Sequence, residues 1–168
     1  EEIRDVTQGY GPEVTVLAPG VSDNTVAQAV FDSRAGGLQS FGAEVGTAER
    51  DDGRTLEENF NRAQRKTIYV DVSLTTSNTF PTDGLGRIED RIVRYIGGEA
   101  SDEINYPGLE IAETVVFDQI FRRVMEVRGV VEADVTIGTD TASMGTANIS
   151  VGTLEAAMTG LDEVTVNE

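Results

Sequence analysis

The chain has 168 residues, 30 of them acidic and 13 basic, giving a formal net charge of −17. Such a surplus of negative charge excludes tracking of a nucleic-acid phosphate backbone, which needs clustered positive charge, and argues against an anionic membrane surface. Histidine and cysteine are both absent, which removes imidazole bases, thiol nucleophiles, disulfides and the usual zinc or iron–sulfur ligands.

Residues 1–12 are polar and end in Gly11-Pro12, a turn signal, so they are read as a linker from an upstream region. The alternation Glu13-Val14-Thr15-Val16-Leu17 predicts a strand, stopped by Pro19-Gly20. Ser22 or Asp23 then caps a helix to about Asp32, with Val26, Ala27, Val30 and Phe31 on its apolar side and Ala35-Gly36-Gly37 after it. A hairpin follows. Its arms are Glu44 to Arg50 and Arg54 to Asn61, and Asp52-Gly53 between them predicts a type I′ turn. Asp51-Asp52 and Glu57-Glu58 lack the ligand spacing of a calcium loop and read as a solvated hairpin tip.

Thr67 to Thr75 is the clearest strand, with Ile68, Val70, Val72 and Leu74 on one face. The spacing of Leu85, Ile88, Ile92 and Tyr95 or Ile96 predicts a helix to Ile96, closed by Gly97-Gly98. Gly108 to Ile111 reads as a short extended piece. A second long helix is expected over 113–127, its apolar stripe of Val116, Phe117, Ile120, Phe121, Val124 and Val127 facing the core. Val130 to Ile137 alternates as a strand with Val131, Ala133, Val135 and Ile137 on one side. Asn148 to Val151 is extended, Leu154 to Met158 reads as a short helical turn, and Val164 to Val166 as a last strand.

The expected fold is α+β. A small β-rich subdomain with one helix covers 13–66, and an α+β subdomain covers 67–168, with two long helices packed on one face of a mixed sheet. No apolar run approaches the ~20 residues of a membrane span.

No nucleophile–base pair is visible, and no catalytic, cofactor-binding or metal-ligating residue is assigned. Gly84-Leu85-Gly86 precedes a helix but lacks the Gly-Lys-Ser/Thr of a phosphate loop, so it reads as a turn. Four residues remain as candidate interface groups: Tyr95, Tyr106, Arg122 and Arg123. The tyrosines flank one loop and suit interface anchors or half-buried packing. Arg122-Arg123 suit an anion or, by default, ion pairs with nearby acids.

Of the 13 basic residues only Lys66 is a lysine. An acidic, almost lysine-free chain resembles proteins of extreme halophiles, in whose salt-rich cytoplasm charges are screened within about 3 Å at molar ionic strength. A second resemblance rests on ordered segments. Val14 to Phe31, containing Val26-Ala27-Gln28-Ala29, precedes Gly37-Leu38-Gln39-Ser40-Phe41-Gly42. The series continues with Ile68 to Val72, a helix ending in Tyr95-Ile96, a helix over Thr114 to Val127, Gly129-Val130 and a late Glu155-Ala156. Together they resemble the C-terminal half of the baseplate J-like family of contractile-tailed phages, including the Mu-like group.

That resemblance implies a non-enzymatic baseplate wedge subunit that pairs with copies of itself and with other wedge and hub proteins. No cofactor or small-molecule substrate is implied. Joined to the composition, it implies a virion part assembled in the cytoplasm of a high-salt host, from a virus or provirus of a haloarchaeon. Two rivals stay open: a tail-associated carboxylate-dependent hydrolase, with two acids in one cleft and one pKa raised, and a free-standing haloarchaeal binding module.

Overall fold

The computed structural model describes residues 13–18, 20–33 and 40–168. The expected linker over 1–12, the stop at Pro19 and the Ala35-Gly36-Gly37 helix end lie outside the described residues. The chain divides into two units, Glu1–Ala63 and Gln64–Glu168. The architecture is α+β: a few strands form sheets, and a small number of helices pack against them.

In the first unit, β1 (Thr15–Val16) leads to α1 (Asp23–Ser33), then β2 (Glu44–Glu49) and β3 (Thr55–Arg62). The sheet order is β1-β3-β2, with β1 parallel and β2 antiparallel to β3. Ser22 caps α1, its Oγ accepting the Thr25 N–H at 3.3 Å. Val26, Ala27 and Val30 point inward to meet Phe60, which is fully buried. α1 lies close against β2, because Gly46 offers no side chain: a Cβ there would sit 2.3 Å from the Asp23 carbonyl oxygen.

The hairpin turn departs from the expected type I′, which needs positive φ at both central residues. In this turn positive φ falls on Gly53 (77°) and not on Asp52. The Gly53 N–H donates to Arg50 O at 2.8 Å, and the Arg50 N–H donates to Arg54 O at 2.8 Å. This is a three-residue loop ending in a glycine bulge. The Asp52 carboxylate is turned inward on the loop, where its Oδ1 accepts the Arg54 N–H.

The second unit holds β4 (Gln64–Thr67), β5 (Tyr69–Thr76), α2 (Gly84–Ile96), β6 (Gly98–Glu99), β7 (Asn105–Tyr106), α3 (Phe117–Met125), β8 (Val130–Gly138), β9 (Glu155–Met158) and β10 (Val164–Asn167). Its main sheet has the order β10-β5-β8, parallel on one side of β5 and antiparallel on the other. Val70, Val72 and Leu74 from β5 join Ile88, Ile92, Ile96, Ile120 and Val124 from the two helices in one buried core. β4 pairs in parallel with β9, and β6 with β7 in a short ribbon.

Several expectations are corrected here. Residues 64–66, expected in the first subdomain, pair with Glu155–Ala157 in the second unit. The short helical turn at 154–158 is strand β9; Ala156, Ala157 and Met158 are all buried, so pairing with β4 overrides the helical preference of Glu-Ala-Ala-Met. Gly108 to Ile111 is irregular rather than a strand, with a bend at Leu109 and a turn that begins at Ile111. The long helix expected over 113–127 is α3, nine residues. It starts late because Val115 and Ile149 exchange two backbone hydrogen bonds of 3.0 Å, which hold the preceding residues extended. Asn148, 31 residues away, then caps it by accepting the Phe117 N–H at 2.9 Å.

Val131 was expected inward and is instead 60% exposed. The pairing steps from Thr75↔Glu132 to Thr76↔Val130, so Val131 is the extra residue of a β-bulge and Val130 packs inward in its place.

Candidate interface site

The aromatic and cationic candidates fall on the second unit, on α2, the β6–β7 ribbon and α3. Arg91 on α2 pairs with Glu126 just beyond α3 at 3.3 Å. Four residues later on α2, Tyr95 lies under Arg123, whose guanidinium carbon is 3.9 Å from the ring centroid. The partners run 126 then 123 while α2 runs 91 then 95, so the two helices are antiparallel. Arg123 also donates to Gln119 O at 2.7 Å and to Gln119 Oε1 at 3.1 Å. Its fork is thereby fixed, and a fixed guanidinium over an aromatic face is a favourable cation–π arrangement.

Tyr106 sits in a second clamp. The Arg94 guanidinium lies 4.6 Å from its ring centroid. The Tyr106 hydroxyl donates to Asp102 Oδ2 at 2.8 Å, and Arg94 donates to the same oxygen at 2.9 Å. The Tyr106 hydrogen bond is the main reason the Asp102 carboxyl is held below the usual carboxylate range, with the Ile104 N–H and the Arg94 charge adding to it. The same bond pushes the Tyr106 hydroxyl above its ordinary value. Asp90, one turn before Arg94, accepts the Ser101 N–H at 2.9 Å and the Ser101 hydroxyl at 2.7 Å, tying α2 to the ribbon.

Three of the four candidates, Tyr95, Tyr106 and Arg123, are therefore engaged in guanidinium–aromatic clamps. Arg122 joins neither. Among the described residues no ion pair engages Arg122 or Arg123, so the default expectation of ion pairs for the two is corrected. Arg123 is drawn instead to a neighbouring ring and its own helix. Sequence reasoning missed Arg94 and Asp102, which complete the Tyr106 clamp. Arg94 is one of several charged residues on α2, and nothing local marks its ring partner twelve residues on.

The hydrolase rival needs a raised carboxyl and a second acid in one cleft. Burial, followed by the Asp90 charge, raises the Glu89 carboxyl. A concavity of about 400 Å³ on this unit is bordered instead by Ser73, Leu74, Thr75, Glu132, Ala133 and Asp134. The raised acid and the concavity do not coincide. Among the described residues no group of three or more Asp or Glu side chains is placed to hold a metal ion. No described helix is long and apolar enough to cross a membrane.

The chain matches no family model, and it matches no curated protein.

Proposed function

We propose that this chain is a non-catalytic structural subunit of a contractile-tail baseplate, of the baseplate J-like kind, working in high salt. The observation that carries the reading is the ordered series of segments from Val14 to Ala156. The two clamps support its assembly part. Tyr95 and Tyr106 present large amphipathic side chains at little further entropic cost, as interface anchors do. The finer architecture belongs to the same proposal: a β-rich unit with one helix, then a mixed sheet bearing two helices on one face. Its partners are further copies of the chain and other wedge and hub proteins, within the tail baseplate of a virion assembled in a haloarchaeal host.

The test is assembly in the solvent the charge calls for. Light scattering in molar KCl is expected to show self-association, and affinity-tagged chain is expected to co-purify with tail proteins from virions. A monomer at all concentrations, with no tail protein retained, overturns the proposal. The same measurement with Tyr95→Ala and Tyr106→Ala is expected to weaken assembly if the clamped face is the contact.

A further inference from the structure

The segment after Gly145 carries a short motif that neither the sheet nor the clamps use. Of the seven asparagines in the chain, only Asn148 is followed two places on by a serine or threonine with no proline between: Asn148-Ile149-Ser150. Asn-x-Ser/Thr is the acceptor pattern for attaching a sugar to an asparagine side chain. The pattern is short and recurs by chance, so its structural setting decides whether it can serve.

Backbone pairing fixes that setting. Ile149 exchanges two backbone hydrogen bonds of 3.0 Å with Val115, and its side chain packs against the core of the second unit. Successive side chains of extended chain alternate in direction, so Asn148 and Ser150 share the opposite side, and both are exposed. The Asn148 amide has one orientation. The atom that accepts the Phe117 N–H at 2.9 Å has to be Oδ1, because an amide nitrogen is a donor only. Nδ2 lies on the far side of the amide carbon from that bond, and among the described residues nothing bonds to it. The two ends of one amide therefore have separate roles. Oδ1 caps α3, and Nδ2 is the atom that sugar attachment uses. Attachment leaves the carbonyl intact, so the cap survives it.

We propose that Asn148 is an N-glycosylation site, its substrate a sugar activated at C1 by a phosphate leaving group. The Nδ2–C1 bond forms and the C1–O bond to phosphate breaks. The electron pair of that bond leaves with the phosphate, and Nδ2 gives up one proton. Transfer takes place before Ile149 pairs with Val115, while the segment is free to enter a transferase. Afterwards the sugar stands in solvent on an exposed side chain at the start of α3. The chemistry is the same for a lipid-pyrophosphate-linked sugar and for a nucleotide-linked one. The site goes beyond the assembly reading and does not rest on it.

The experiment makes the full chain in two forms. One is exported from a host that transfers lipid-linked oligosaccharide, and the other is kept in the cytosol with a soluble transferase and UDP-glucose. Peptide mass spectrometry is expected to find sugar mass on the peptide holding Asn148 and on no other asparagine. Addition in the exported form alone assigns a lipid-linked donor, and addition in the cytosolic form alone a nucleotide-linked one. Ser150→Ala removes the pattern without touching the cap and is expected to abolish the addition. Asn148→Asp keeps an oxygen for the Phe117 N–H and is expected to abolish it as well. Amide exchange at Phe117 is expected to be as slow in the modified chain as in the unmodified one. Unmodified Asn148 in both forms, addition that persists in Ser150→Ala, or loss of Phe117 protection on modification overturns the proposal.

Discussion

The two units cover a sheet edge by different means. In the first, the outer edge of β2 is covered by side chains of α1: Asn24 Oδ1 accepts the Thr47 N–H at 2.9 Å, and Gln28 Oε1 accepts the Glu49 N–H at 2.7 Å. Gln28 also donates from Nε2 to Glu49 O at 3.2 Å. Two amides one helical turn apart thus imitate a neighbouring strand, and the edge is closed to other chains. In the second unit, the outer edge of β8 is met by the chain that follows it: Ile137 exchanges two backbone hydrogen bonds with Gly145, and Val135 is buried. The contrast extends inward. Among the described residues the first unit's core has four buried members and the second has nineteen. A thin core leaves little stability to spare, so a mispaired edge there would compete effectively with the native sheet.

That comparison can be broken at its weakest point. Phe60→Ala removes the one large side chain of the smaller core and is expected to cost about 3–5 kcal/mol. Thermal unfolding should then resolve an early transition, with amide protection lost in β2 and β3 but kept at Val70 and Val72. Loss of protection in β5 at the same temperature would show that the units are not separable in this way. Gly46→Val forces α1 off β2 and is expected to cost about 1–3 kcal/mol. Chemical denaturation should report it, and Ala27 should lose its burial by fluorine or methyl NMR.

Removing the amide cap sharpens the edge contrast directly. Asn24→Ala with Gln28→Ala is expected to cost about 1–2 kcal/mol and to speed exchange at Thr47 and Glu49, with a new tendency to self-associate through β2. Unchanged exchange at both amides would mean that the cap does not protect the edge. A gain is expected in the other unit. Glu103 holds φ 61° in the β6–β7 turn, a conformation that suits glycine. Glu103→Gly should stabilise the chain by about 1 kcal/mol in denaturant titration.

The smallest effect is a pH signature of the Tyr106 clamp. Asp102 is held below its ordinary value, so its contribution is present above about pH 4 and is lost as pH falls through the lowered pKa. Tyr106 is raised, so its contribution is present below about pH 10 and is lost as pH rises through the raised pKa. Tyr106→Phe should move the Asp102 carboxyl titration upward by NMR, and an unmoved titration would show that the hydroxyl is not its main partner.

Legibility in the sequence followed the range of the forces involved. β5 was readable because its period-two alternation coincides with burial on one side, and α2 because its apolar residues recur at helical spacing between two glycine-bearing turns. β9 was misread, since three consecutive buried residues show no period at all. α3 was read too long because its start is set by Val115–Ile149 pairing and by Asn148, all remote in the chain. At the site, Tyr95, Tyr106 and Arg123 stood out by residue type, while Arg94 and Asp102 did not, because a clamp across two helices and a ribbon leaves no local pattern.

By itself the sequence determined the net charge of −17, through 30 acids against 13 basic residues, and the identity of the strongest local elements. Both depend on composition or on neighbours within one turn or one pleat. Tertiary structure alone decided how each sheet edge is covered, where Val131 faces, and which guanidinium lies over which ring. Those outcomes depend on pairing partners tens of residues apart, and a bulge of one residue is enough to reverse the face of every side chain beyond it.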